Sequence, residues 1–361
     1  MKETAAKKEK YILVGIGSRE EDIVSSLEEL RELVKTAGAD TVLMIPQVRQ
    51  TPHPKTYVGT GKVEEIKAQL EYFEADGIVF DDELSPTQMN NLEQLLQTKI
   101  MDRTMVILDI FASHARSAEG KIQVELAQLQ YRATHLIGMG KILSRLGGGI
   151  GTRGPGEKKL EIDRRRIHDR ISILKKKLKE VEKHRQVTRK RRSENGILNI
   201  AIVGYTNAGK STLLNTLTHA DILAADMLFA TLDPTTRELY IPGAGKVLIT
   251  DTVGFIRKLP HNLIEAFKST LEEAVWADII LHVADASDPD LDAHMITVYD
   301  TLQELQIKGK PIITIFNKCD LIEEDAFFSD IKANKVVNCS AKTGQGLSEL
   351  KDIILNYGKE L

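Results

Sequence analysis

One stretch of eight residues constrains the chain more than any other. Residues 204–211, GYTNAGKS, fit the pattern G-x-x-x-x-G-K-[ST] of a phosphate-binding loop. The stretch lies between the apolar run 198–203 and the leucine-rich 212–217, which predicts a strand, a glycine-rich turn and a helix start. Backbone N–H groups of such a turn, with the positive end of the helix, bind phosphate oxygens. The pattern therefore predicts a P-loop domain in which Lys210 contacts the β- and γ-phosphates and the Ser211 hydroxyl binds Mg²⁺.

A second motif indicates the base of the nucleotide. Residues 317–320, NKCD, follow the apolar run 312–316 and are predicted at the carboxyl end of a strand, where open α/β sheets bind ligands. The Asp320 carboxylate can accept hydrogen bonds from both the N1–H and the 2-amino group of guanine, whereas adenine offers no such pair of donors. Residues 339–341, CSA, are predicted to contact guanine through backbone groups. GTP and GDP are therefore the predicted ligands.

Two further stretches fit the switches of a guanine-nucleotide-binding domain. Residues 251–254, DTVG, end a predicted strand. Asp251 is expected to lie just outside the ligands of Mg²⁺, and the Gly254 N–H is expected to contact the γ-phosphate. Within FATLD, at 229–233, Thr231 is the candidate for the threonine that contacts Mg²⁺ only when the γ-phosphate is present.

The choice of switch threonine is not settled by the sequence. Thr235 and Thr236 lie close to Thr231 and stay open as alternatives. With Thr231 chosen, five elements occur in the order of a guanine-nucleotide switch domain, which we predict over residues 196–361. The candidate catalytic residues are Lys210, Thr231 and Gly254.

Strands that alternate with helices predict a parallel α/β domain in residues 1–115. Its strands include the apolar run TMVIL at 104–108. Three adjacent acids at 81–83 are expected to form a solvated turn rather than a metal site. The stretch GTGK at 59–62 is expected to be a turn that enters a helix rather than a second phosphate loop, because it lacks the full P-loop spacing.

Residues 116–195 carry two apolar seams of helical spacing. The first comprises Ile122, Leu126, Leu129, Ala133 and Leu136, and the second comprises Ile167, Ile171, Leu174, Leu178 and Val181. Between them, residues 147–156 contain six glycines and one proline, which we expect to prevent a helix. The pattern predicts an antiparallel helical hairpin, similar to a coiled coil, with a glycine-rich loop at its exposed tip.

The charge of the second helix predicts a polyanionic partner. Residues 158–192 contain 16 Lys and Arg against five Asp and Glu, in a chain whose net charge is −3. Such segregation favours contacts with RNA phosphates, and the scarcity of aromatic residues favours shape over sequence recognition. A solvated coiled-coil face is the alternative, although too few acids are present for i,i+4 pairing. The RNA-binding candidates are Arg153, Arg164, Arg165 and Arg166.

The remaining composition indicates the compartment. No apolar run approaches the ~18 residues of a membrane span, and the first residues lack the apolar region of a signal peptide. We therefore expect a cytoplasmic protein. The chain is also expected to be a monomer. The two cysteines, Cys319 and Cys339, lie in the predicted base-binding loops and are expected to stay reduced.

The sequence resembles the HflX family of translational GTPases over nearly its whole length. The glycine-rich stretch 147–157 with the following KKLEIDRRR is the most specific match. The P-loop GYTNAGKST, the switch FATLDPTTR at 229–237 and DTVGFI at 251–256 complete the resemblance. The resemblance implies a GTPase that binds the large ribosomal subunit through its RNA, associates peripherally with ribosomes and can split stalled ribosomes under stress.

The resemblance also implies the set of site residues. Ser211 and Thr231 are the implied Mg²⁺ ligands, with Asp251 beside them. The implied nucleotide contacts are Gly204, Tyr205, Thr206, Asn207, Ala208, Gly209, Lys210, Ser211, Phe229, Ala230, Thr231, Leu232, Asp233, Asp251, Thr252, Val253, Gly254, Asn317, Lys318, Cys319, Asp320, Cys339, Ser340 and Ala341. Two other functions stay open: a ribosome-assembly GTPase without splitting activity, and an RNA-binding scaffold that uses GTP as a structural ligand.

The residue after DTVG bears on catalysis. Ras-like domains carry a glutamine there that orients the attacking water, and this chain has Phe255, which cannot hydrogen-bond water. The attacking water is then positioned by a group reordered in this chain or by one that the partner supplies. We expect slow hydrolysis by the isolated protein and acceleration by the ribosome. K⁺ is a further candidate cofactor, because Asn207 in the P-loop could help to coordinate it near the phosphates.

Overall fold

The structure is a computed structural model that describes residues 8–146, 155–194, 197–218, 227–243, 245–260, 263, 271–323 and 328–360. Backbone contacts group the chain into two compact units. The first combines Met1–Ser113 with Ile122–Lys177, and the second combines His114–Lys121 with Leu178–Leu361. The three domains expected from the sequence, with bounds near 115 and 195, stay a prediction.

The first unit contains a parallel four-stranded sheet in the order β2-β1-β3-β4. Strand β1 is buried along nearly all its length, as is typical of a parallel sheet covered on both faces. A reciprocal capping box starts helix α3, because the Gln88 N–H donates to Ser85 Oγ and the Ser85 N–H donates to Gln88 Oε1. The elements are β1 (Lys10–Gly17), α1 (Glu20–Thr36), β2 (Asp40–Val48), α2 (Thr60–Phe73), β3 (Gly77–Phe80), α3 (Pro86–Leu96), β4 (Lys99–Asp102) and α4 (Arg103–His114).

The prediction of a strand at 104–108 is wrong, because these residues belong to helix α4. The strand β4 lies just before them and ends at Asp102. The Asp102 carboxylate accepts a hydrogen bond from the Met105 N–H at 2.9 Å, which is the geometry of a helix N-cap. The periodicity of a short apolar run does not distinguish a buried helix from a buried strand. Here the N-cap at Asp102 shows that a helix begins.

Within the acidic stretch at 81–83, Asp81 differs from the expected solvated turn, whereas Glu83 is exposed. Asp81 is buried, accepts a hydrogen bond from the Ser26 hydroxyl at 2.6 Å and forms an ion pair with Arg103 at 2.6 Å. A buried carboxylate needs such partners because desolvation of an unpaired charge is costly. The expected helix-entry turn at 59–62 is present, since helix α2 begins at Thr60 directly after Gly59.

Two long helices, α5 (Ala118–Leu146) and α6 (Pro155–Glu194), follow. In the part of these helices whose side chains the structure describes, the seam residues Leu126, Ala133 and Leu174 are buried. Arg170 of α6 donates two hydrogen bonds to the Glu125 carboxylate of α5 at 2.7 and 3.0 Å. Residues 147–154 of the predicted tip, with Arg153, lie outside the described residues. Pro155 and Gly156 were expected in the loop but begin α6, where the first turn tolerates proline.

The second unit contains a six-stranded sheet in the order β10-β9-β8-β5-β7-β6. Strand β6 runs antiparallel to its neighbour β7, and the other neighbouring strands of this sheet pair in parallel. Strands β5, β8 and β9 are almost entirely buried. None of the helices described by the structure has the length and apolar character needed to cross a membrane. The elements are β5 (Leu198–Gly204), α7 (Lys210–Thr218), β6 (Thr235–Ile241), β7 (Gly245–Asp251), β8 (Ile279–Asp285), α8 (Leu291–Glu304), β9 (Ile312–Asn317), β10 (Lys335–Asn338) and α9 (Leu347–Glu360).

Candidate nucleotide-binding site

A cleft opens at the carboxyl end of strand β5, where the P-loop turns into helix α7. It brings together predicted residues from the P-loop and from both switches, and it adds Thr212 and Met227, which were not predicted. Thr212 directly follows the motif, whereas no sequence pattern indicates Met227. The lining residues are Thr206, Asn207, Gly209, Lys210, Ser211, Thr212, Met227, Phe229, Ala230, Thr231, Thr252 and Gly254.

Two glycines let other groups approach the cleft closely. Gly209 has a φ of +90°, and a Cβ there would lie 2.2 Å from Asn317 Nδ2. A Cβ on Gly254 would lie 2.9 Å from both Lys210 Nζ and Thr206 Cγ2. Any larger residue at either position would displace groups of the cleft, which explains why the motifs require glycine there.

Lys210 is a buried cation at the floor of the cleft. Its ammonium donates a hydrogen bond to the Tyr205 carbonyl oxygen at 2.6 Å, and 6% of the residue is exposed. Burial lowers the pKa of Lys210 to about 8, and the nearby Asp251 opposes that change. A negatively charged ligand in the cleft would stabilise the charged form further, as expected for a lysine that binds phosphate.

Three side-chain oxygens meet where the sequence predicts Mg²⁺. Ser211 Oγ donates a hydrogen bond to Asp251 Oδ2 at 2.7 Å and lies 2.9 Å from Thr231 Oγ1. The second carboxylate oxygen of Asp251 is buried and has no hydrogen-bond partner among the described residues. Burial raises the pKa of Asp251, and Lys210 opposes that change. This set fits Mg²⁺, which prefers hard oxygen ligands and is commonly held by one or two protein groups together with substrate phosphates.

Phe255 is fixed to the P-loop by its backbone. Its N–H donates to the Gly204 carbonyl oxygen at 3.1 Å, and its own carbonyl accepts from the Thr206 N–H at 2.8 Å. The side chain is 1% exposed. The phenyl ring is therefore a packing group, and the water-orienting role of glutamine must be supplied by another group.

The predicted guanine-binding loops are joined to the P-loop by Asn317. Its Oδ1 accepts a hydrogen bond from the Ala341 N–H at 2.9 Å, and its Nδ2 donates to the Ala208 carbonyl oxygen at 2.8 Å. The Cys319 N–H donates to the Cys339 carbonyl oxygen at 3.1 Å. The sequence predicts Asn317 as a nucleotide contact but does not reveal this bracing role. Asp320 is exposed in a short 3₁₀ turn.

The structure also describes the surroundings of Lys318, of Asp233 and of three arginine candidates. Lys318 Nζ forms an ion pair with Asp285 at 2.6 Å, which holds it across the ends of neighbouring strands. The Asp233 carboxylate accepts hydrogen bonds from the backbone of Arg116 and Ser117. Sequence motifs did not indicate this contact, since the partners lie 116 and 117 positions apart. The candidates Arg164, Arg165 and Arg166 are exposed on helix α6.

The arrangement defines the class of the protein as a guanine-nucleotide-binding P-loop enzyme, and family models agree. Three of them match in succession: "GTP-binding GTPase N-terminal" at residues 24–112, "GTP-binding GTPase Middle Region" at 114–192, and "50S ribosome-binding GTPase" at 199–318.

Individual relatives narrow the class to a family. GTPase HflX of Lacrimispora saccharolytica is 61% identical over 96% of this chain and 82% of its own length. GTPase HflX of Escherichia coli is 44% identical over 95% of this chain and 81% of its own length. The solved complex of SsGBP with GDP is 26% identical, covers 97% of this chain and 99% of its own, and has a TM-score of 0.52. The chain belongs to the HflX family of GTPases and is a GTP-hydrolysing enzyme.

Proposed function

We propose that this GTPase binds the large ribosomal subunit, hydrolyses GTP there and splits stalled ribosomes under stress. The observation that carries the proposal is the basic surface of helix α6, where Arg164, Arg165 and Arg166 are exposed beside Lys175–Lys177 and Lys179. Exposed cations in such density suit RNA phosphates. The middle-region match over 114–192 and the 50S ribosome-binding GTPase match over 199–318 support it.

The contacts in the cleft support the catalytic roles that we propose. Lys210 binds the β- and γ-phosphate oxygens and neutralises charge that develops during transfer of the γ-phosphoryl group. Ser211 and Thr231 would supply hydroxyl ligands to Mg²⁺, which would neutralise phosphate charge when bound, and Asp251 would orient the Ser211 hydroxyl. The Gly254 N–H contacts the γ-phosphate. Asp320 selects guanine.

The attacking water is oriented by a group outside the Phe255 side chain. The proposal assigns this step to the ribosome, so that hydrolysis is slow in solution and fast on the large subunit. K⁺ near Asn207, which lines the cleft, is the second candidate. Steady-state hydrolysis with and without large subunits, each in K⁺ and in Na⁺, separates the two sources. Fast turnover by the free protein that subunits leave unchanged contradicts the coupling.

The basic surface is tested by reversing its charge. Replacement of Arg164, Arg165 and Arg166 by Glu is expected to weaken binding to large subunits and to lower the salt dependence of log K by ~0.7 to 0.9 for each lost phosphate contact. A matched control makes the same charge change at exposed lysines outside α6, namely Lys308, Lys332 and Lys335. GTP affinity should stay unchanged in both variants. Equal salt slopes for the two variants would show that α6 is only a solvated face.

Splitting is tested with intact ribosomes on a sucrose gradient. The proposal expects the whole-ribosome peak to decline when the protein and GTP are added without other factors. The alternative, an assembly GTPase, predicts binding to subunits with the whole-ribosome peak unchanged. An RNA-binding scaffold predicts the absence of multiple-turnover phosphate release, even with subunits present.

A further inference from the structure

The switch segment 229–233 is tied to a part of the chain that no nucleotide motif includes. The Asp233 carboxylate accepts hydrogen bonds from the backbone N–H groups of Arg116 and Ser117, at 3.0 and 2.8 Å, and from the Ser117 hydroxyl. Both residues belong to the segment His114–Lys121, which lies in the same compact unit as the P-loop. The contact is therefore internal to that unit.

The partner of Asp233 is the start of a helix. Ser117 directly precedes helix α5, and its hydroxyl oxygen accepts from the Gly120 N–H at 2.8 Å, which is the geometry of an N-cap. A carboxylate at a helix N-terminus is stabilised by the free N–H groups and by the helix dipole. Space is tight there, because a Cβ on Gly120 would lie 2.4 Å from Asp233 Oδ1. A side chain at position 120 would therefore displace the Asp233 carboxylate.

The other end of the switch segment, at Phe229, is held by a separate hydrogen bond. His114 Nδ1 donates a hydrogen bond to the Phe229 carbonyl oxygen at 3.0 Å. Phe229 adopts a left-handed conformation with a φ of +55° and is buried. Thr231 lies midway between these two anchored residues, and its hydroxyl is 2.9 Å from Ser211 Oγ. The segment is thus held on both sides of the threonine that faces the metal position.

We propose that Asp233 is a positioning residue for GTP hydrolysis: by binding the N-terminus of helix α5 it holds Thr231 in reach of Mg²⁺ and the γ-phosphate. This inference rests on the proposed role of Thr231. It gives the Asp233 side chain a task that differs from direct contact with the nucleotide. Because Thr231 contacts the metal only when the γ-phosphate is present, the tie stabilises the GTP state and leaves the GDP state largely unaffected.

The decisive variant is Asp233→Asn, which keeps the shape of the side chain but removes the charge and one acceptor. A hydrogen bond to a charged group contributes about 1.5 to 3 kcal/mol, so we expect GTP affinity and the single-turnover hydrolysis rate to fall by roughly tenfold or more. The Mg²⁺ concentration for half-maximal hydrolysis should rise. GDP affinity should stay within about twofold. Asp300→Asn, at an exposed position on helix α8, is the matched control.

A second variant keeps the inference testable if Asp233→Asn is poorly folded. His114→Ala removes the tie at Phe229 and leaves the cap of α5 intact, and it should lower hydrolysis in the same direction by a smaller factor. The inference is overturned if Asp233→Asn lowers GTP and GDP affinity equally, since that indicates a structural cap. It is also overturned if hydrolysis and its Mg²⁺ dependence are unchanged.

Failure of the inference can be distinguished from failure of the proposed site. If Thr231→Ala leaves GTP hydrolysis unchanged, the role of Thr231 is wrong and the inference falls with it. If Thr231→Ala abolishes hydrolysis while Asp233→Asn and His114→Ala behave as the control, only the positioning role of Asp233 is rejected.

Discussion

The sheets of the two units both place charged residues at the carboxyl ends of parallel strands, yet these residues are used differently. In the first unit, Arg103 forms ion pairs with Asp81 and Glu29. The Asp102 carboxylate accepts hydrogen bonds from Leu84, Met105 and Tyr131. In the second unit, one oxygen of buried Asp251 has no hydrogen-bond partner among the described residues.

The difference separates a structural cluster from a binding site. Buried charges that pair with each other stabilise one arrangement and have little capacity left for a ligand. A buried lysine with a lowered pKa and a carboxylate with a free oxygen, lying together in a cleft, retain capacity for phosphate and metal. Position at the end of a parallel strand indicates where a site can form, and the state of the hydrogen bonds indicates whether it does.

The largest effect is expected from a substitution in the structural cluster of the first unit. Arg103→Met leaves Asp81 buried without its cationic partner, and removal of one member of a buried ion pair costs about 3 to 5 kcal/mol. Chemical denaturation should therefore show a large loss in the free energy of unfolding of the first unit. GTP affinity measured with the folded protein should not change. A stability close to that of the parent chain would place Asp81 among ligand-binding rather than structural groups.

The second largest effect is expected on GTP hydrolysis, with a smaller effect on stability. Lys210→Ala removes the cation that binds the phosphates, and loss of one such electrostatic group lowers the rate of hydrolysis by about 10² to 10³. The free energy of unfolding should fall by less than in Arg103→Met, because the lost ammonium donates its hydrogen bond to the Tyr205 carbonyl and its desolvation cost is removed with it, although Asp251 loses a nearby cation. Single-turnover hydrolysis and denaturation, measured on the same preparation, check both statements. A variant that unfolds easily but still hydrolyses GTP would contradict them.

A more moderate effect concerns the base. Asp320→Asn is expected to weaken GTP binding and to allow xanthosine nucleotides to compete, because the amide can donate to the carbonyl that replaces the 2-amino group of guanine. The loss should be about 1 to 3 kcal/mol, as for a polar group left without its partner. Competition binding with GTP and XTP measures it. Unchanged base preference would remove Asp320 from the guanine site.

Local motifs predicted much of this molecule. The family, the α/β class and the GTPase activity are confirmed. They could be predicted because the P-loop and switch motifs are short stretches with fixed spacing. The prediction of a strand at 104–108 is wrong, since the part of helix α4 that contains this apolar run is almost entirely buried and shows no alternation of polar and apolar faces.

Other features depend on contacts between distant residues. The burial of Asp81 needs Arg103, which lies 22 positions away, and the tie of Asp233 to Ser117 spans 116 positions. Asn317 braces two loops that are joined only in the folded chain. No periodicity in a single sequence reports such pairs, so their side chains could be predicted as polar but not as partners.

The smallest effect tests a buried group of the second unit that lies outside the cleft. His282 in strand β8 is 1% exposed, and burial lowers its pKa to about 4 from the usual 6.5, although Asp330 opposes the change. Its ring is therefore neutral at pH 7, and its 3.9 Å contact with Asp330 is not an ion pair there. Tyr299 packs edge-on against the ring, and Thr314 lies 3.5 Å from Nδ1.

The sign of the resulting pH dependence follows from proton binding. Between pH 6.5 and 4 the unfolded chain binds a proton at His282 that the folded chain excludes, so the free energy of unfolding falls as the pH is lowered through this window. We expect a loss of about 1 to 2 kcal/mol between pH 6.5 and 5 from this group. His282→Gln should remove that part of the pH dependence. If denaturation curves of the two proteins change equally with pH, His282 is protonated in the folded state, and its contact with Asp330 is then an ion pair.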